Sequence, residues 1–102
     1  MIIVLGRVQV RDGMLDQAIA ASIEHVHRSR LEPGCISHSV NQDAENSDVL
    51  VFVEEWQDKA ALWRHFQVPA SQAFVKAVGA MAAQRPSMQI LEATPVALPQ
   101  RQ

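Results

Sequence analysis

Val49-Leu50-Val51-Phe52-Val53-Glu54-Glu55-Trp56, or VLVFVEEW, is the stretch whose reading decides the fold. It is rich in β-branched and aromatic residues and reads as a strand. Its apolar residues fall on both faces, so both faces need cover. Glu54 shares a face with Trp56, and Glu55 points the other way. Downstream, Asp58 is placed to cap a short helix over Lys59–Phe66, which Pro69 interrupts. A second helical segment runs from about Ala70 to Ala83, with Phe74, Ala77, Val78 and Met81 on one side. After Pro86 a last strand is expected from Ser87 to Ala93, then a tail from about residue 94 containing Pro95 and Pro99.

Upstream, the alternation in IIVLGRVQV predicts a first strand over Ile2–Val10. A helix follows over Met14–Leu31, with Asp12 as its expected cap and Leu15, Ile19, Ile23 and Val26 on the buried side. His25 and His27 flank that stripe and are expected at the surface. Glu32-Pro33-Gly34 predicts a type II turn, with proline second and glycine third. A second strand over Cys35–Gln42 then puts Ile36, His38 and Val40 on one face.

The resulting order is βαββαβ, the ferredoxin-like α+β arrangement of an antiparallel four-stranded sheet with helices on one face. One chain has too few elements to cover the other face, and a second copy packed sheet to sheet is the simplest cover. With 102 residues, the chain forms one domain over its whole length.

Composition excludes several classes of function. A net charge of -2 and no Lys/Arg cluster argue against nucleic acid. No apolar run approaches the roughly 18 residues of a membrane span. The N-terminus does not read as a signal peptide. The single Cys35 fits a reducing cytoplasm and is expected to pack as a small hydrophobe. The 4 His residues show no His-x-x-x-His spacing, so no metal set is expected. With 4 Gly in the chain, a dinucleotide loop is not expected either.

EPGCISHSVNQD (Glu32–Asp43) and VFVEEWQDKAALWRHFQVPASQAF (Val51–Phe74) resemble the antibiotic biosynthesis monooxygenase family. The resemblance implies a dimeric α+β barrel with a pocket between sheet and helices in each subunit. It also implies oxidation of quinols, anthrones or related aromatics by molecular oxygen without metal or flavin. The chain departs from the pattern H-x-x-T-P-H-F, where it has Val68 for the threonine and Ala70 for the second histidine. It has no Tyr, which excludes mechanisms needing a phenol hydroxyl from the protein. In the haem-degrading branch a tryptophan stands where this chain has His65 and the iron-ligand histidine falls near Val75, which argues against haem.

His65 lies just off the Leu62–Phe66 stripe, bordering the core, and a histidine suits proton transfer near neutral pH. It is the expected catalytic base. Its replacement by alanine is expected to cost far less stability than loss of Leu62 or Phe66. Trp56, His38, Phe66, Phe74 and Arg30 form the expected substrate-binding set. The expected activity is a cofactor-independent monooxygenation of a small electron-rich aromatic. The alternative is a non-catalytic dimer of the same fold that holds a small hydrophobic ligand, or none.

Overall fold

The computed structural model describes residues 1–100. The elements run β1 (Ile2–Gln9), α1 (Leu15–Ser29), β2 (Cys35–Gln42), β3 (Val49–Trp56), α2 (Lys59–Gln67), α3 (Pro69–Met81) and β4 (Ser87–Glu92). The two helical segments expected after the third strand are thus separate helices, meeting at Val68. Val68 ends α2 with an extended backbone, and Pro69 opens α3 at a position where its missing N–H costs nothing. The strands form one antiparallel sheet in the order β2-β3-β1-β4. This is the ferredoxin-like α+β fold.

The VLVFVEEW strand occupies a central position. Leu50, Phe52, Glu54 and Trp56 point beneath the helices and are buried. Val51, Val53 and Glu55 point to the opposite face and are half-buried. Beneath the helices the apolar interior divides in two. Val8, Leu50, Phe52, Phe74 and Val78 belong to a larger cluster closed by α1 and α3. Ile2, Val4, Trp56, Ala61 and Leu62 form a smaller one beneath α2.

Three local readings change. First, Asp12 does not cap α1. The cap position is Met14, without a side-chain hydrogen bond. Second, the buried face of α1 is Ala18, Ser22, His25, Val26 and Ser29, while Ile23 is 42% exposed. The expected stripe of Leu15, Ile19, Ile23 and Val26 is rotated from the buried face, which places Ile23 outside and His25 inside. Third, an irregularity between Cys35 and Ser37 puts Ile36 out of the His38–Val40 face, 56% exposed.

Two expectations hold in detail. The Asp58 carboxylate accepts from the Ala61 N–H at 2.9 Å and caps α2. The turn after α1 closes through the Cys35 N–H donating to the Glu32 carbonyl at 3.2 Å, with Gly34 at φ 84°. A Cβ built on Gly34 would lie 2.5 Å from Ala61 Cβ, so this turn sits hard against the start of α2.

Cys35 is half-buried against the smaller cluster, and burial pushes its thiol pKa up. It should be unreactive as a nucleophile. We expect Cys35→Ser to retain any turnover of the wild-type protein. Loss of activity in a folded Cys35→Ser protein, checked by oxygen uptake beside circular dichroism, would contradict this assignment.

Candidate active site

A cavity of about 640 Å³ opens between the sheet and the helices. Phe52, Phe66 and Phe74 supply aromatic wall, and Val75 and Met88 more apolar surface. Among the polar side chains of this lining, four converge from different elements: His25 from α1, His38 from β2, Glu54 from β3 and His65 from α2. All four are buried, at 5%, 2%, 5% and 3% exposure.

The fold explains the convergence. His38 and Glu54 are cross-strand neighbours in the β2–β3 register, so both project beneath the helices. His25 descends from the inner face of α1 and stacks on Phe74 of α3, with ring centroids 4.0 Å apart and planes 5° from parallel. His65 closes the group from α2, packed on Trp56 at 4.7 Å. Ring centroids are 5.3 Å apart for His25–His38 and for His25–His65, and 6.0 Å for His38–His65.

His65 is held by a partner the sequence reading did not name. Its Nδ1 lies 3.0 Å from both carboxylate oxygens of Glu32, the first residue of the turn. A carboxylate only accepts, so Nδ1 carries the proton that is donated to Glu32. In the neutral ring Nε2 then carries the lone pair, 3.9 Å from Glu54 Oε1. Glu54 in turn accepts from Trp56 Nε1 at 2.9 Å. Its burial raises its carboxyl pKa, opposed by the Trp56 bond and by His65.

The other two imidazoles are neutral at pH 7. Burial lowers the His25 pKa to about 4, helped by His65 and Arg28. Burial lowers His38 to about 3, helped by His25, His65 and Arg30. Neither is well satisfied: Nδ1 of His25 and both ring nitrogens of His38 are buried without a hydrogen-bond partner.

Of the expected site residues, His65, His38, Phe66 and Phe74 line the cavity. Trp56 does not. It is wholly buried behind His65 and Glu54 and supports both. Arg30 does not reach the cavity either. It is exposed, and its Nε donates to the His38 carbonyl at 3.0 Å. Phe66 is half-buried. Its weight as an anchor of α2 is therefore less than that of Leu62, which has no exposed surface. His65 lies deeper than its helical position implies, so removing it would leave a void and an unpartnered Glu32. The stability cost expected of an alanine there rises accordingly.

His25, Glu32 and Glu54 are the polar groups of the site that sequence reasoning left out. Ser22 and Ser29 were readable signals for His25, because Ala18, Ser22, His25 and Ser29 step along one helical face. The spacing argument against a metal set saw only local repeats. It could not see three histidines brought together from three separate elements.

The ferredoxin-like sheet and its helices thus enclose an aromatic-walled cavity with an imidazole–carboxylate end. The family model described as antibiotic biosynthesis monooxygenase matches residues 1–77, and the chain belongs to that family. An uncharacterized protein of Synechocystis is 39% identical over 75 residues, 74% of this chain and 51% of its own. The chain thus spans about half the length of that curated relative. A crystal structure of an antibiotic biosynthesis monooxygenase aligns with TM-score 0.86 at 26% identity, over 93% of this chain and 100% of the other. A Deinococcus radiodurans structure aligns with TM-score 0.90 at 17% identity, over 99% and 100% of the two chains. At that identity the likeness shows the fold alone. Among the described residues no helix is long and apolar enough to cross a membrane.

Proposed function

We propose that the protein is a cofactor-independent monooxygenase of small electron-rich aromatics of the quinol or anthrone type. The observation that carries this reading is His65 in the cavity lining with Nδ1 fixed by Glu32 at 3.0 Å, which leaves Nε2 as the free base. The cavity walls match a flat hydrophobic substrate. Phe52 and Phe74, with ring centroids 5.9 Å apart, offer faces and edges for stacking.

In this mechanism Nε2 takes the proton of the substrate hydroxyl or activated C–H. The resulting anion passes one electron to molecular oxygen, which avoids the spin barrier to direct combination. The substrate radical and superoxide then join through a new C–O bond. In the peroxide so formed the O–O bond breaks as the same carbon gives up its remaining C–H proton, which leaves a carbonyl and a hydroxide that takes the imidazolium proton. One oxygen atom ends in the quinone and the other in water. The protein contributes desolvation, positioning and one proton carrier. Neutral His25 and His38 add polarity without adding charge. The test is oxygen uptake against a panel of quinols and anthrones, with quinone formation followed by absorbance. Absence of turnover with saturable binding of the same compounds would favour a ligand-binding protein instead.

We also propose that the working unit is a homodimer closed over the outer sheet face. That face carries Ile3, Val51 and Val53 half-buried, with Leu5 at 37% and Leu91 at 38% exposure. A second copy packed there would bury an area in the class of obligate dimers, above about 2,000 Å². Sedimentation at micromolar concentration should give twice the chain mass. A monomer under those conditions would refute the arrangement.

A further inference from the structure

We propose that His25, His38 and His65 form a binding site for a divalent first-row transition-metal ion, with an open position facing the cavity. One ligand nitrogen from each ring lies within 4.8 Å of the others, and all three residues are buried. Metal–nitrogen bonds of about 2.0–2.1 Å place tetrahedral ligand atoms roughly 3.3–3.4 Å apart. Binding an ion would require the three nitrogens to close from their present spacing, within 4.8 Å, to that separation.

The unpartnered nitrogens are a second, independent pointer. Nδ1 of His25 and both ring nitrogens of His38 are buried and have no hydrogen-bond partner. Buried polar atoms are normally satisfied, and those that are not call for an unseen partner. A cation held at the centre of the group would satisfy a lone pair from each ring.

The surroundings suit a cation. Arg28 and Arg30 act on the rings as positive groups, and Arg7 and Arg85 line the same cavity. Against them stand two carboxylates. Glu32 holds His65 by Nδ1, the carboxylate–histidine pairing that orients a metal-ligating ring and raises its basicity. Glu54 has Oε2 3.6 Å from His38 Nε2 and Oε1 3.9 Å from His65 Nε2, close enough to offset the charge of the ion. Three imidazoles favour zinc, iron, nickel or copper over magnesium or calcium, which prefer oxygen. Three protein ligands and a cavity on the fourth side make a site that takes an anionic oxygen, such as a phenolate or enolate.

An ion held by His65 Nε2 would occupy the lone pair that the oxygenase reading gives to the base, so the proposal stands apart from that reading and is tested without turnover. The whole chain, stripped with a chelator, is titrated with Zn²⁺ by calorimetry and with Co²⁺ by visible absorption. One ion per chain is expected, with a d–d band of low-coordinate cobalt. His38→Ala and His25→Ala should each weaken binding by about 100-fold or more. Glu32→Gln, which leaves all three rings in place, should weaken it about 10–100-fold. His27→Ala, on the exposed side of α1, should leave it unchanged. The proposal is overturned if wild-type protein shows no saturable binding of one ion. It is equally overturned if binding survives His38→Ala, or is lost in His27→Ala. Stripped protein that consumes oxygen with a quinol but binds no ion sinks this proposal and keeps the oxygenase. Protein that binds the ion and turns over nothing does the reverse.

Discussion

His65→Gln, assayed in chelator-stripped protein, should lower turnover of an oxidisable aromatic by roughly 10²–10⁴, the usual contribution of a positioned acid–base group. Glutamine is the informative substitution because His65 is 3% exposed. Alanine would confound lost chemistry with a void beside Trp56. The amide retains a donor for Glu32 but no basic nitrogen. Circular dichroism and the unfolding midpoint should therefore move little while oxygen uptake falls. Glu32→Gln should give a smaller fall of the same kind, since the imidazole would survive but lose the acceptor that fixes its tautomer. Unchanged uptake in a folded His65→Gln protein would remove His65 from the mechanism and send the search for a base to Glu54.

Leu62→Ala should destabilise the protein by about 2–5 kcal/mol, read as a lower urea midpoint with an unchanged slope. Leu62 has no exposed surface and is part of the smaller cluster with Ile2, Val4, Trp56 and Ala61. That cluster has few members, so one lost side chain is a large share of its contacts. Phe66→Ala should cost less, since its ring is half-buried and faces the cavity. A Leu62→Ala loss below about 1 kcal/mol would mean that α2 is held by its ends, through the Asp58 cap and Pro69, and not by its inner face.

The strands were legible because their chemistry is local. Runs of valine and isoleucine mark β1 and β3, and the β2 and β3 boundaries agree with expectation to the residue. The Asp58 cap and the Glu32–Gly34 turn were legible for the same reason: each rests on contacts a few residues apart. The site was only partly so. His65 and His38 could be picked from their positions on amphipathic elements. His25 was harder to see, because Ile23 outweighs it on any hydrophobic scale while its pointers, Ser22 and Ser29, are polar; yet the isoleucine is exposed and the histidine stacks beneath on Phe74. Glu32 was hidden because its partner lies 33 residues away. Arg30 was misplaced because a long cationic side chain has many partners in reach, and the one it takes is the main chain of β2.

The contact between Gly34 and Ala61 links substitution at one end of the site to substitution at the other. Gly34 is held at a backbone angle that side chains rarely adopt, and a methyl group there would meet that of Ala61. Residue 34 is the third position of the turn that Glu32 begins, and residue 61 lies one helical turn before His65. A larger side chain at 61 would press on the turn and draw the carboxylate from the imidazole without touching either. The acceptable sequences at 34 and 61 are therefore coupled: a drift toward bulk at either position must be matched by movement at its neighbour. A randomised library that varies them independently would consist mostly of chains in which the Glu32 carboxylate no longer meets the His65 ring.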